Sequence, residues 1–121
     1  MREERLRTTA GLRGTPALPL SAWRGRSGRR YVVGIHELAE PDPDDLDAAV
    51  VMAVRRDADG TGALVCVTCA GDDPREPLTR SWLAVARHRG ANEMHIHRLA
   101  EGEAERRAIV ADLAVPMLAA A

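Results

Sequence analysis

Four short apolar segments, separated by turn-forming residues, restrict this chain to a fold built on a β-sheet. Each segment is rich in Val, Ile, Leu or Ala and is bounded by Gly, Pro, Ser or Asp. Such segments are typical of β-strands joined by turns. Ser27 and Gly28 separate the first two, and glycine readily supplies the positive φ of a hairpin turn. We expect an antiparallel meander of four strands, at residues 18–26, 29–38, 48–56 and 63–69.

Helical signals replace the strand signals in the last third of the chain. Asp73 and Pro74 fit the N-cap and first position of a helix, Pro77 is the alternative start, and Gly90 fits the position just beyond its end. Residues 93–99 alternate as a strand, and residues 103–113 carry the apolar spacing of a second helix. The predicted fold class is α+β, an antiparallel β-meander (ββββ) followed by α-β-α. We expect a two-layer sandwich with both helices on one face of the sheet.

The hydrophobic core is expected to be aliphatic and thin. The 121 residues are 45% hydrophobic but only 2% aromatic, and none is Phe. Because alanine buries little apolar area, association between copies would add stability. The predicted core surrounds Trp23, Tyr31 and Trp82. The first helix is expected to turn one apolar side toward the sheet, made of Leu78, Trp82, Val85 and Ala86.

Charge is distributed unevenly along the chain. Residues 1–30 hold eight arginines against two glutamates, whereas residues 31–121 hold nine arginines against sixteen acidic residues. Residues 1–17 show neither helical nor strand periodicity, so we expect a flexible basic leader there. A single α+β domain is predicted for residues 18–116 and a tail for residues 117–121.

The sequence favours a cytoplasmic protein without a membrane partner. The longest apolar run, residues 48–54, is too short to span a bilayer, and the first residues lack the apolar segment of a signal peptide. Two cysteines in 121 residues do not make a disulfide framework, which agrees with a reducing compartment.

An arginine cluster around the predicted hairpin turn is the first candidate site. It consists of Arg24, Arg26, Arg29 and Arg30. Guanidinium groups bind carboxylate and phosphate groups in a fork geometry, so the cluster is a candidate site for an anionic or protein partner. Nucleic acid is a less favoured alternative, because the chain carries a net charge of −1. A solvated hairpin tip without a partner is the competing interpretation.

Histidines form the second candidate site. His95 and His97 share one face of their predicted strand, and His36 would join them if its strand lies alongside. Three imidazoles facing one pocket would support a metal-dependent or hydrolytic enzyme. Cys66 and Cys69 could complete a zinc site only if their strand breaks between them, because residues three apart on a strand point to opposite faces. We therefore predict no metal site.

Several catalytic chemistries are excluded or unsupported. The chain has no lysine, which excludes Schiff-base and P-loop lysine chemistry, and it has no G-x-S-x-G motif. We predict no catalytic residue and no cofactor. The favoured hypothesis is a small non-catalytic binding or regulatory module. It would engage a macromolecular or anionic partner, or form a homo-oligomer, through the arginine-rich hairpin or an exposed sheet edge. The alternatives are the histidine-based enzyme and a nucleic-acid-binding module.

Overall fold

The structure of the chain, a computed structural model, describes residues 2–5, 20–38, 48–70 and 80–114. These residues form six strands and two helices, so the predicted α+β class is confirmed. In chain order the elements are β1 (Arg2–Arg5), β2 (Leu20–Arg24), β3 (Arg30–Glu37), β4 (Ala49–Arg56), β5 (Gly62–Ala70), α1 (Arg80–His88), β6 (Glu93–His97) and α2 (Glu103–Leu113). Neither of the helices in these ranges is long and apolar enough to cross a bilayer.

The six strands join one antiparallel sheet in the order β1-β2-β3-β6-β4-β5. β6 therefore separates the β2–β3 hairpin from the β4–β5 hairpin, and the predicted four-stranded meander does not form. The reason is burial on both faces of β6, with Met94 and Ile96 on one face and His95 and His97 on the other. A strand buried on both faces belongs in the middle of a sheet, not beside its edge.

The two helices lie on opposite faces of the sheet, which corrects the expected two-layer arrangement. Successive residues of β4 point to alternate faces. Val51 packs in a cluster with Ala86 of α1, whereas Met52 packs in a second cluster with Ile109 and Leu113 of α2. Because β4 is buried along residues 49–54, both of its faces need cover, and one helix on each face supplies it. We call these surfaces the α1 face and the α2 face.

The sheet is curled, so that its two ends approach each other on the α2 face. β1 and β5 stand at opposite ends of the strand order and are nevertheless in contact. Glu3 of β1 reaches Arg56 at the end of β4, directly beside Gly62 of β5. Arg2–Arg5, which the sequence assigns to the basic leader, is the outermost strand on this side.

The helices match their sequence patterns at most described positions. α2 spans the predicted residues 103–113, and its Ile109 is buried. Gly90 follows α1 with a φ of 97°, as expected beyond a helix C-terminus. Val85 differs from the prediction, since it is 50% exposed while Ala86 turns inward. The predicted helix start at Pro74 or Pro77, Leu78, the leader residues 6–17 and the tail at residues 117–121 lie outside the described residues.

Candidate functional site

The arginines of the β2–β3 hairpin are engaged within the molecule. Arg24 Nη2 lies 3.0 Å from Glu4 Oε1, and Arg30 Nη2 lies 2.9 Å from Glu4 Oε2. Arg26 Nη2 donates to the carbonyl oxygen of Ala114 at 2.9 Å, just beyond the end of α2. The Glu4 carboxylate therefore pairs with two of the guanidinium groups, and a backbone carbonyl beyond the end of α2 accepts a hydrogen bond from a third. The cluster offers less unpaired positive charge than its sequence suggests.

Asp112 of α2 binds the tip of this hairpin. Its carboxylate accepts hydrogen bonds from the Ser27 backbone N–H at 2.8 Å, from Ser27 Oγ at 2.7 Å and from Tyr31 Oη at 2.6 Å. The bonds from Tyr31 and Ser27 lower the pKa of Asp112, and burial together with Asp112 raises the pKa of Tyr31. The Arg29 guanidinium carbon lies 5.8 Å from the centre of the Tyr31 ring. The hairpin tip is thus docked onto the end of α2.

The register of β3 and β6 separates the three candidate histidines. β3 does lie beside β6, but His36 pairs with Met94 while Ile35 pairs with His95. Directly paired residues in antiparallel strands share a face, so His36 lies on the α1 face and His95 and His97 lie on the α2 face. The three imidazoles do not converge. In the described ranges, no three His, Cys, Asp or Glu side chains are grouped so as to hold a metal ion.

Cys66 and Cys69 also lie on opposite faces of the sheet. Cys66 pairs with Ala53, whose neighbours belong to the α1 face, and Cys69 pairs with Val50, which belongs to the α2 face. Burial raises the pKa of the Cys66 thiol, which disfavours the thiolate that metals and electrophiles require. The two sulfur atoms therefore do not form a shared site.

His95 is completely buried and has a hydrogen-bond partner at each ring nitrogen. The Trp23 indole N–H donates to Nδ1 at 2.9 Å, and Nε2 lies 2.9 Å from Glu93 Oε1. Because an indole nitrogen only donates, Nδ1 must be the acceptor and carry no proton. The ring is therefore neutral and donates from Nε2 to Glu93. Burial lowers the pKa of His95 below its ordinary value, against the opposing effects of Glu93 and Glu3.

Arg56 connects the two carboxylates that face this histidine. Its Nη1 and Nη2 donate to the Glu3 oxygens at 2.5 and 2.8 Å, and Nη2 also donates to Glu93 Oε1 at 2.9 Å. Nη1 donates further to the Gly60 carbonyl oxygen at 3.0 Å, and Nε donates to Glu93 at 3.3 Å. All five guanidinium N–H groups thus have acceptors. The hydrogen bond to Glu3 raises the pKa of Arg56, so its charge is permanent.

Glu3 and Glu93 stay ionised in this environment. Burial is the largest single effect and would raise the pKa of each, but the hydrogen bonds and charge of Arg56, together with a hydrogen bond from Ser21 to Glu3 and one from His95 to Glu93, hold both pKa values below their ordinary range. Ser21 Oγ also donates to Glu3 Oε2 at 2.9 Å. Every buried side-chain nitrogen and oxygen atom of the described residues has a hydrogen-bond partner. We call this group the interior polar cluster: Glu3, Ser21, Trp23, Arg56, Glu93 and His95.

Sequence reasoning identifies only part of this cluster. The spacing Glu93-x-His95 places both side chains on one face of a strand, which is a local signal for their contact. Glu3 carries no such signal, because its partner Arg56 is 53 positions away in the chain. The contact depends on the curl of the sheet, and no local pattern predicts it.

β5 is the last strand in the order of the sheet, and β1 contacts it at its Gly62 end. Its nine residues, Gly62–Ala70, include no charged residue and no proline. β4 pairs with one side of β5 along its whole length, and no strand of the described ranges pairs with the other side. Residues 62–69 are half-buried. An uncharged edge of this length is a template for pairing with a further strand.

No family model, curated protein or solved structure matches this chain. The geometry of its own residues is therefore the basis for inferring its function.

Proposed function

We propose that this chain is a non-catalytic interaction module that pairs with a second copy of itself through the outer edge of β5. The observation that carries the proposal is the composition of that edge, which is nine residues long and has neither charge nor proline. Proteins usually protect such edges with lysine, proline or a very short strand. β5 has none of these features, which fits a strand that a partner covers.

A second copy suits this edge because the edge is neutral and regular. The register of β4 and β5 shifts once, between Ala53 and Val54, and the β5 residues 66–70 form a regular run centred on Thr68. Two antiparallel strands related by a two-fold axis exchange backbone hydrogen bonds. Their pairing would place only neutral side chains against each other. The net charge of −1 also adds little repulsion between copies.

The other hypotheses have weaker geometric support. Arg24 and Arg30 share Glu4, so an anion or a nucleic acid that bound the hairpin would have to displace an internal carboxylate. A histidine-based enzyme would need accessible imidazoles that converge. His95 has no solvent exposure, and His36 lies on the other face of the sheet.

Thr68→Lys tests the self-pairing. Thr68 is half-buried, and its Oγ1 donates to the neighbouring Cys69 carbonyl oxygen at 3.5 Å, so the substitution removes a local hydrogen bond at the limit of hydrogen-bond distance. A lysine on an edge strand disfavours pairing with another strand. We expect the wild-type chain to sediment as a dimer and Thr68→Lys as a monomer with an unchanged circular dichroism spectrum.

Val85→Lys is the matched control. It introduces the same charge on α1 at a site that is 50% exposed and belongs to no strand, so pairing between strand edges should persist. A wild-type chain that stays monomeric up to about 1 mM would contradict the proposal. At that concentration even a dimer with a dissociation constant of about 1 mM, which is a binding free energy of about −4 kcal/mol, would be detected. Equal loss of the dimer in both variants would place the interface elsewhere.

A further inference from the structure

The hydrogen bond between Trp23 and His95 can exist only while the imidazole is neutral. A protonated imidazole carries a hydrogen on both nitrogens, and the indole nitrogen of Trp23 cannot accept one. The Trp23 indole N–H and the new His95 Nδ1–H would then face each other with no acceptor between them. We propose that His95 and Trp23 form a pH-sensitive latch, in which uptake of one proton from solvent at His95 Nδ1 breaks the Trp23 hydrogen bond and displaces the indole.

A second acceptor is already in place for the protonated ring. Glu3 Oε2 lies 3.8 Å from His95 Nδ1, just beyond hydrogen-bond distance, while Glu93 Oε1 stays at 2.9 Å from Nε2. A small rotation brings the new Nδ1–H to Glu3 and leaves the imidazolium between two carboxylates. The imidazole is therefore satisfied in both states of the latch. Only Trp23 loses its partner.

The groups that face His95 act in opposite directions on its charge. Among the described residues, Glu3 of β1 and Glu93 of β6 favour the imidazolium, and Arg56 of β4 disfavours it. β3 presents the apolar Ile35 directly opposite the ring. Complete burial also favours the neutral form. These opposing effects keep the ring neutral near pH 7 and allow acid to reverse the balance.

The position of Trp23 determines what the latch controls. Trp23 is 1% exposed and packs in the apolar cluster beneath α2. It is paired directly with Glu3 of β1 on one side and with Tyr31 of β3 on the other. Displacement of the indole would therefore loosen β1 and the core beneath α2. Glu3 of β1 contacts β5 beside Gly62, whereas the proposed self-pairing is centred on Thr68 farther along β5, so the latch does not require the self-pairing.

Nuclear magnetic resonance tests the latch in the wild-type chain. The indole N–H resonance of Trp23 reports the hydrogen bond, and the ring carbon resonance of His95 reports protonation. We expect both signals to move with a single midpoint in a titration from about pH 8 to about pH 4.5. The indole resonance of Trp82, which contacts the α1 face instead, should not follow that midpoint.

Two variants distinguish the latch from simple core packing. Trp23→Phe keeps an aromatic side chain but removes the N–H, so His95 should bind a proton about tenfold more tightly. His95→Asn retains an acceptor oxygen near the Nδ1 position and cannot titrate, so the Trp23 resonance should then stay constant with pH.

Three results would overturn the latch. The first is a Trp23 resonance that stays fixed while His95 titrates. The second is a His95→Asn variant that keeps the wild-type pH response. The third is a chain that unfolds in one step before His95 takes up a proton. If Trp23→Phe fails to fold, the wild-type titration and His95→Asn decide the question.

Discussion

Gly62 allows the two ends of the curled sheet to meet. A Cβ atom at this position would lie 2.5 Å from Glu3 Oε1 and 2.9 Å from Arg56 Nη1. The side chains of Glu3 and Arg56 are only 6% and 13% exposed, so their ion pair fills the space beside Gly62. Separating such a shielded pair is costly, because each charge would be left without its partner. The missing side chain thus permits β1 to close against the far side of the sheet.

Gly62→Ala should lower the free energy of unfolding by about 1–3 kcal/mol, because the added methyl group pushes Glu3 away from Arg56. Urea denaturation measures this change. In a Glu3→Ala background the methyl group no longer meets a carboxylate, so Gly62→Ala should lower the free energy of unfolding by a clearly smaller amount. Equal costs in the two backgrounds would show that Gly62 does not serve the ion pair.

At the scale of residues, the sequence predicts which side chains are buried better than it predicts which side chains they contact. Trp23 and Tyr31 are buried as expected, because large aromatic groups leave water whatever they contact. The burial of Glu3 is not predictable, because a carboxylate is buried only where a partner such as Arg56 is brought to it. The same limit applies to the hairpin arginines, whose carboxylate partner Glu4 lies in a strand that the sequence does not indicate.

The β2–β3 hairpin and α2 form a unit that Asp112 joins. A carboxylate in the last turn of a helix is unfavourable with the helix dipole. The hydrogen bonds from Ser27 and Tyr31, and the contact of Arg26 with the Ala114 carbonyl oxygen, offset that cost. Asp112 therefore stabilises the contact between the two elements and not the helix alone.

Asp112→Asn should loosen the hairpin tip, since an amide is a weaker acceptor for the Ser27 and Tyr31 hydrogens. We expect amide exchange at residues 25–29 to become roughly tenfold faster, which corresponds to about 1.4 kcal/mol. Glu103→Gln at the other end of α2 weakens an exposed pair with Arg107, away from the hairpin tip, and should leave this exchange unchanged. An unchanged rate in Asp112→Asn would mean that the strands alone hold the tip in place.

At the scale of elements, local patterns predict α2 well and the position of β6 poorly. The apolar spacing of residues 103–113 is contained within the helix itself, so its bounds agree with the structure. The strand at residues 93–97 is also predicted, but its neighbours β3 and β4 are set by pairing over long distances in sequence. Whether β6 lies at the centre or at the edge of the sheet depends on the burial of both its faces, which its alternating sequence pattern does not reveal.

At the scale of the whole molecule, the interior polar cluster makes stability depend on pH. The folded state lowers the pKa of His95 below its ordinary value of 6.5, so the unfolded chain binds this proton more readily. It also lowers the pKa of Glu3 and Glu93 below their ordinary value of 4.5. In both cases the unfolded state holds more protons as the pH falls, so stability declines in the acid direction.

The free energy of unfolding should therefore decrease in two steps, first below about pH 6.5 and again below about pH 4.5. Urea denaturation at a series of pH values measures both steps. His95→Asn should remove the first step and retain the second, which belongs to the carboxylates. A wild-type stability that is constant between about pH 7.5 and pH 5.5 would contradict the contribution of His95.

The central position of β6 also has a consequence for how the chain is made. Synthesis proceeds from the N-terminus, so the β2–β3 and β4–β5 hairpins leave the ribosome well before residues 93–97. In the described sheet the two hairpins are joined by backbone hydrogen bonds only through β6. Until β6 emerges, the edge of each hairpin that pairs with β6 in the folded sheet has no partner strand. This interval of translation is when the nascent chain is most open to wrong pairing.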